Sequence, residues 1–148
     1  MTAYATTTEA ATYFQQRLHT SAWTNANSEQ RTAALQYATD LIDQLNFAGS
    51  KTDSAQELEF PRGTDTVVPD KIKKACYEIT YALLDGRDPQ FDIENMNRQG
   101  SVFQDARSFH DVRFQPEHLM HGIPSSLAWR YLKPYLRSGR SVKLSRSN

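Results

Sequence analysis

A single cysteine, Cys76, serves a chain of 148 residues. That excludes an internal disulfide and removes thiolate-rich zinc sites. Cys76 falls in an apolar helical pattern and is expected as a small buried hydrophobe. The apolar runs are only a few residues long, far short of the ~20 that span a bilayer. The opening Met1-Thr2-Ala3-Tyr4-Ala5-Thr6-Thr7-Thr8 has neither the basic flank nor the apolar centre of a secretory signal. A reducing, cytosol-type compartment is therefore expected, or a particle assembled there. Glycine is sparse: Gly49, Gly63, Gly86, Gly100, Gly122 and Gly139 are scattered, and none builds a phosphate-cradling loop. Net charge is also absent, with 17 basic against 17 acidic side chains, which excludes a polyanion coat working through overall charge.

The most informative absence is local. No Asp or Glu follows Glu117, while Arg130, Lys133, Arg137, Arg140, Lys143 and Arg146 all do. The neutral total is thus the cancellation of an acidic body and a basic C-terminal segment. Trp129, Tyr131 and Tyr135 interleave with the first three of these cations. Basic groups alternating with aromatics suit single-stranded nucleic acid, through phosphate charge and base stacking. They equally suit a protein interface, where Trp, Tyr and Arg concentrate. A merely solubilising tail is the third reading.

What is present otherwise is helical periodicity in one domain-sized chain. A first helix opens at Thr7 or Thr8, with Ala10, Phe14 and Leu18 as its apolar stripe. A second is capped by Asn27 or Ser28, Asn27 and Gln30 having capping-box spacing. Ala34, Leu35, Ala38, Leu41, Ile42 and Leu45 form its apolar face, and Trp23 is expected to pack on its first turn. Residues 50–68 read as a loop. A third helix opens at Pro69, buries Ile72, Ala75, Cys76, Ile79, Ala82 and Leu83, and closes at Asp85-Gly86. Between Arg87 and Gln115 the pattern weakens: Ser101-Val102-Phe103, then Phe109, Val112 and Phe114, suggest two short strands or an extended hairpin. Pro116 to Gly122 reads as one helical turn. Ser125 or Ser126 then caps a short helix carrying Leu127, Ala128, Trp129, Tyr131 and Leu132, which Pro134 ends or kinks. The expected fold is mainly α: a small bundle of three to five helices, with an extended or hairpin insertion around 87–115 and an extended C-terminal tail. Residues 1–136 form the helical domain and 137–148 a basic tail without a core of its own.

No catalytic signature accompanies this pattern. His118 and His121, three apart and next to Glu117, have spacing compatible with a metal but lack further ligands and a supporting shell. Between Pro116 and Gly122 they read as a surface turn. In Phe109-His110-Asp111 the adjacent His and Asp point to opposite faces of an extended chain. Asp40 and Asp43, and the Lys71, Lys73 and Lys74 cluster, read as solvated helix faces. No enzyme activity, cofactor or metal is expected.

Several stretches carry a family resemblance. They are Ala3-Tyr4-Ala5-Thr6 with Tyr13-Phe14, Ala34-Leu35 through Leu41-Ile42-Asp43, and Phe47-Ala48-Gly49. Further along come Leu58-Glu59-Phe60-Pro61-Arg62, Val68-Pro69 through Glu78, Ala82-Leu83-Leu84-Asp85-Gly86, and Ile123-Pro124-Ser125. Last is Ala128-Trp129-Arg130-Tyr131-Leu132-Lys133-Pro134-Tyr135-Leu136. Over residues 3–136 the chain resembles small tailed-phage proteins encoded among head and tail genes, many labelled DnaT-like single-stranded-DNA-binding proteins. In architecture that family looks like the head-to-tail connectors, or adaptors. The resemblance implies a mainly helical virion protein, made in the host cytoplasm and placed at the head–tail junction. It implies a ring, commonly of about twelve copies, beneath the portal. Tail or nozzle proteins would lie on its other side, and double-stranded DNA would pass through the channel without specific binding. No membrane is involved. Trp129, Arg130, Tyr131, Lys133, Tyr135, Arg137, Arg140, Lys143 and Arg146 would dock on the portal, and the tail would order on docking. The alternative is a single-stranded-DNA-binding accessory that uses the same residues on phosphates and bases.

Overall fold

The computed structural model describes residues 2–103, the last seven as backbone only, and 116–138. Seven α-helices and one 3-10 turn lie in these residues: α1 (Thr7–Gln15), α2 (Ser21–Asn25), α3 (Ser28–Asp43), α4 (Asp70–Leu84), α5 (Pro89–Phe103), α6 (Glu117–Met120), α7 (Ser126–Leu132) and the turn Lys133–Tyr135. The described residues contain no β-strand, only two isolated bridges, Phe47 with Leu136 and Lys51 with Arg62. None of their helices is long and apolar enough to cross a membrane.

The centre is α4, which packs against α3 on one side and α7 on the other, with α2 at one end. Its sequence explains why. Ile72, Ala75, Cys76 and Ile79 are fully buried, and so is Thr80, so the helix hides more than one stripe. A helix buried beyond one face must satisfy its polar groups internally. Thr80 Oγ1 does so by donating to the Cys76 carbonyl at 2.7 Å. Thr39 on α3 donates to the Leu35 carbonyl at 2.9 Å and accepts from the Tyr4 N–H at 3.1 Å. Cys76 lies between these threonines, and burial pushes its thiol up to about 12. Each fully buried Ile or Leu in this core contributes roughly 1.5–3 kcal/mol.

Local signals place the helix ends. Asn27 and Gln30 form the expected capping box on α3. α1 is capped by Thr6 rather than Thr7 or Thr8, because Glu9 at the third helical position completes a box with it: Glu9 N–H donates to Thr6 Oγ1 and Thr6 N–H to Glu9 Oε2. Pro69 is the cap residue of α4. Gly86 closes that helix at φ +92°, a conformation that side chains with a Cβ resist.

Three expectations need correction, and a fourth is met from an unexpected element. Leu18 is not part of the α1 stripe: the helix stops at Gln15, and Leu18 is 81% exposed. The cause is Arg17, which reaches back to α4. Its Nε donates to Glu78 Oε1 at 2.9 Å and its Nη2 to Oε2 at 3.1 Å, while Nη1 donates to the Leu18 and His19 carbonyls. Trp23 packs on the first turn of α3 as expected, the Arg31 guanidinium lying 4.8 Å from its ring centroid, but it does so from a short helix of its own, α2, and also lies 4.8 Å from Phe14. Ser101-Val102-Phe103 is not extended: it is the last turn of α5, so the expected hairpin is replaced there by helix, and Phe109, Val112 and Phe114 lie outside the described residues. Weak apolar periodicity had suggested strands, but Asp88 supplies a helix start, accepting from the Gln90 and Phe91 N–H groups. Asp43 is not a solvated carboxylate. It is half-buried and accepts a short hydrogen bond from the Tyr4 hydroxyl. Burial raises both the carboxyl and the phenol above their ordinary values.

The loop between α3 and α4 is held by Arg62. Its Nε donates to the Ala48 carbonyl at 3.0 Å, Nη2 to the Gly49 carbonyl at 2.6 Å, and Nη1 to Glu59 Oε2 at 2.5 Å. The Phe60-Pro61-Arg62 stretch is therefore a structural clamp. Arg62→Lys, which keeps the charge but loses the planar fork, should cost about 2 kcal/mol in urea unfolding. It should also release the amide hydrogens of Thr52 and Gly63 to exchange, since these bridge the loop. Glu78 is 3% exposed and also accepts from the Tyr13 hydroxyl at 2.6 Å. Glu78→Ala strands both partners. Because Arg17 is one-quarter exposed, the expected loss is near the lower end for a broken buried pair, about 3 kcal/mol, read as a lowered urea midpoint.

Candidate functional site

The basic segment reaches the body through α6, α7 and the 3-10 turn. Ser125 caps α7, its hydroxyl accepting from the Ala128 N–H at 3.1 Å. The helix buries Ala128, Trp129 and Leu132 against α4. Pro134 does not end the chain's helical course at once but starts the 3-10 turn Lys133–Tyr135. The backbone then pairs with the residues after α3. Ala48 N–H donates to the Tyr135 carbonyl and Arg137 N–H to the Asn46 carbonyl, both at 2.9 Å. These two bonds fix where the chain leaves the body.

This arrangement divides the nine residues the sequence singled out. The aromatic half turns inward. Trp129 is 6% exposed, and the Tyr135 ring meets Phe60 edge-on at 5.5 Å. Tyr131 is half-buried against the core. The three rings therefore form no open stacking ladder. The cationic half turns outward: Arg130, Lys133 and Arg137 are exposed. Arg140, Lys143 and Arg146 lie outside the described residues.

Between the end of α3, α6, α7 and the exit segment runs a cleft of about 680 Å³. Glu117, His121, Trp129, Asn46, Lys133 and Arg137 are among the residues that line it. Sequence reasoning treated Glu117, His118 and His121 as a surface turn, and two of them line this cleft. His118 Nδ1 lies 2.8 Å from the Ile123 carbonyl, which closes the α6 turn. The His121 ring stacks on Trp129 with centroids 4.9 Å apart and an interplanar angle of 13°. Glu117 Oε2 accepts from Trp129 Nε1 at 3.3 Å and from Lys133 Nζ at 3.2 Å. The signal that could have found the site is the spacing of Glu117 to Trp129 and Lys133 across the Gly122 turn. That pairing depends on how α6 folds back on α7, which no local pattern encodes.

Among the described residues no group of three or more His, Cys, Asp or Glu is placed to share a metal. Among the described residues, five of the body's cations are engaged with its own acids: Arg17 with Glu78, Lys51 and Arg62 with Glu59, Lys73 with Glu9, and Arg87 with Asp92. Lys73 was expected on a solvated face. Instead its Nζ bonds Glu9 at 2.8 Å and holds that carboxyl below its ordinary value.

Glu117 gives this cleft a pH signature. The Lys133 ammonium, then the Trp129 N–H, hold its carboxyl below the ordinary 4.5. A carboxyl lowered in the native state contributes stability that is complete above its unfolded value and is lost as pH falls through the native one. In a Trp23→Phe background, which leaves Trp129 as the single tryptophan, emission should show an acid transition below about pH 4.5. Glu117→Gln should remove that acid transition. A transition that survives the substitution would assign it to another group.

A model of the family described as "Putative DnaT-like ssDNA binding protein" matches residues 1–120, and the chain belongs to that family. No curated protein and no solved structure matches it. The family match covers the body and α6 and stops before α7, so the basic C-terminal segment lies beyond it.

Proposed function

From that membership we propose that the chain is a single-stranded-DNA-binding accessory protein, holding the strand through the phosphates with its C-terminal segment. The observation that supports this reading is the partition of charge. Every basic residue after Glu117 is free of acidic neighbours in sequence, and Arg130, Lys133 and Arg137 are exposed. In the body, five cations are spent on internal ion pairs, and in the C-terminal segment Lys133 pairs with Glu117. Phosphate contacts supply most of the affinity of a non-specific binder and make it fall with salt. Base stacking contributes less than the aromatic content of the sequence suggests, because Trp129 and Tyr135 are committed to the core.

A second reading is favoured by one specific observation. The exit of the basic segment is pinned by backbone bonds at 46–48 and 135–137, so the described chain leaves an acidic body at one fixed point. A head-to-tail adaptor would use such an exit to dock on a portal ring in a virion, with further copies of itself completing a ring and tail proteins on the far side. In that reading the exposed cations meet acidic protein surface, and DNA passes without being gripped.

The two readings separate in one series. Binding of a labelled dT oligonucleotide should weaken steeply with salt, with a log–log slope of up to about −4 if all six cations touch phosphates. Replacing Arg140, Lys143 and Arg146 together by Gln should roughly halve that slope. An adaptor would show little affinity for the oligonucleotide at any salt and would co-sediment with portal rings, an association the same triple substitution should abolish. If the substitution changes neither, the segment is not the binding surface in either reading.

A further inference from the structure

We propose that the cleft between the end of α3 and the α6–α7 pair is a pocket for one nucleotide of a single strand, the base lying on His121 and its phosphate on Arg137 and Lys133. This rests on the single-stranded-DNA reading and gives it a specific seat. Four observations converge. The cleft's volume, about 680 Å³, falls within the range of small-ligand pockets. His121 is exposed and lines the cleft, while its ring is backed by Trp129 at 4.9 Å and 13°. An imidazole held parallel on a buried indole has lost most of its rotational freedom, so little ordering entropy opposes a base stacking on it. Two cationic side chains, Lys133 and Arg137, line the cleft against one carboxylate, Glu117, and that carboxylate already accepts from Lys133 and Trp129. Its charge is therefore spread over two donors and opposes a phosphate less than a lone carboxylate would. Finally, the Asn46 carbonyl just after α3 accepts from the Arg137 N–H. This holds the Arg137 backbone at the rim, leaving its guanidinium for a phosphate fork.

The pocket needs a base that has left its stack. It accepts single strands and refuses a duplex, whose bases present no face to His121. It also fits a family described by single-stranded DNA: the cleft is built jointly by residues inside the family match, Asn46 and Glu117, and by His121, Lys133 and Arg137 beyond it.

The test is anisotropy of a labelled dT oligonucleotide with the full chain and four single variants, checked for native far-UV dichroism. His121→Ala should bind about five- to tenfold more weakly, the low end for loss of one base stack, with its salt slope unchanged. His121→Phe, which keeps an aromatic face on Trp129, should restore binding. Arg137→Gln should flatten the salt slope by about 0.7, one phosphate's share for a single strand. Lys71→Gln, an equal loss of charge at an exposed position on α4, should leave the slope as it is. A duplex of matching length should show no dependence on His121. The proposal is overturned if His121→Ala binds the oligonucleotide like the parent, or if Arg137→Gln and Lys71→Gln behave alike. In both cases DNA binding itself survives. A parent chain that does not bind the oligonucleotide overturns the single-stranded-DNA reading as well, and a His121→Ala effect confined to portal co-sedimentation assigns the cleft to a protein partner.

Discussion

Phe60 is the residue on which three distant stretches of chain converge. Its ring, 3% exposed, meets Tyr4 from the N-terminal segment, Phe47 from the end of α3 and Tyr135 from the C-terminal exit, each edge-on or nearly so. Edge-to-face contacts of this kind add to the burial they accompany. The polar groups around the cluster are satisfied by the same set of residues. Phe60 N–H donates to the Tyr4 hydroxyl, which donates to Asp43, and Arg62, two residues on, fastens the Phe47–Gly49 backbone. Without this node the bridge between Phe47 and Leu136 has no floor, and the exit of the basic segment is not fixed.

The cleft inherits its shape from that node on one side and from α7 on the other. α7 is held by ordinary core packing on α4, through Ala128, Trp129 and Leu132. Trp129 thereby does two things at once. Its body fills the core, and its one polar atom reaches the edge of the cleft to meet Glu117, the usual solution for a buried indole. The side chain nearest to solvent in this stack is His121, which has no apolar pattern to announce it.

Charge is organised by the same division between inside and outside. The acidic excess of the body is not a diffuse field. Several carboxylates have a specific cation or donor: Glu78 with Arg17 and Tyr13, Glu9 with Lys73 and its own helix cap, Glu59 with Arg62 and Lys51. Positive charge available to a partner is thereby concentrated toward the C-terminal end, where the sequence has no acid to oppose it.

The features legible in the order of residues are those that depend on near neighbours. The capping box of Asn27 and Gln30, the apolar faces of α3 and α4, the stop at Gly86, the turn at Gly122 and the cap at Ser125 are all written within a few residues. The charge partition is equally plain, since it is a property of order alone. Tertiary structure decided the rest, because it pairs residues far apart in the chain. Arg17 ends α1 early by reaching Glu78. Asp43 leaves the solvated face for Tyr4. Residues 89–103, whose helix Asp88 starts locally, pack on α6 where weak periodicity suggested strands. Above all, packing of α7 on α4 turns Trp129 inward, and the turn after α6 brings His121 over it. A helical stripe records that a ring is apolar enough to bury, but only the packing partner decides which ring is buried and which is left facing the cleft.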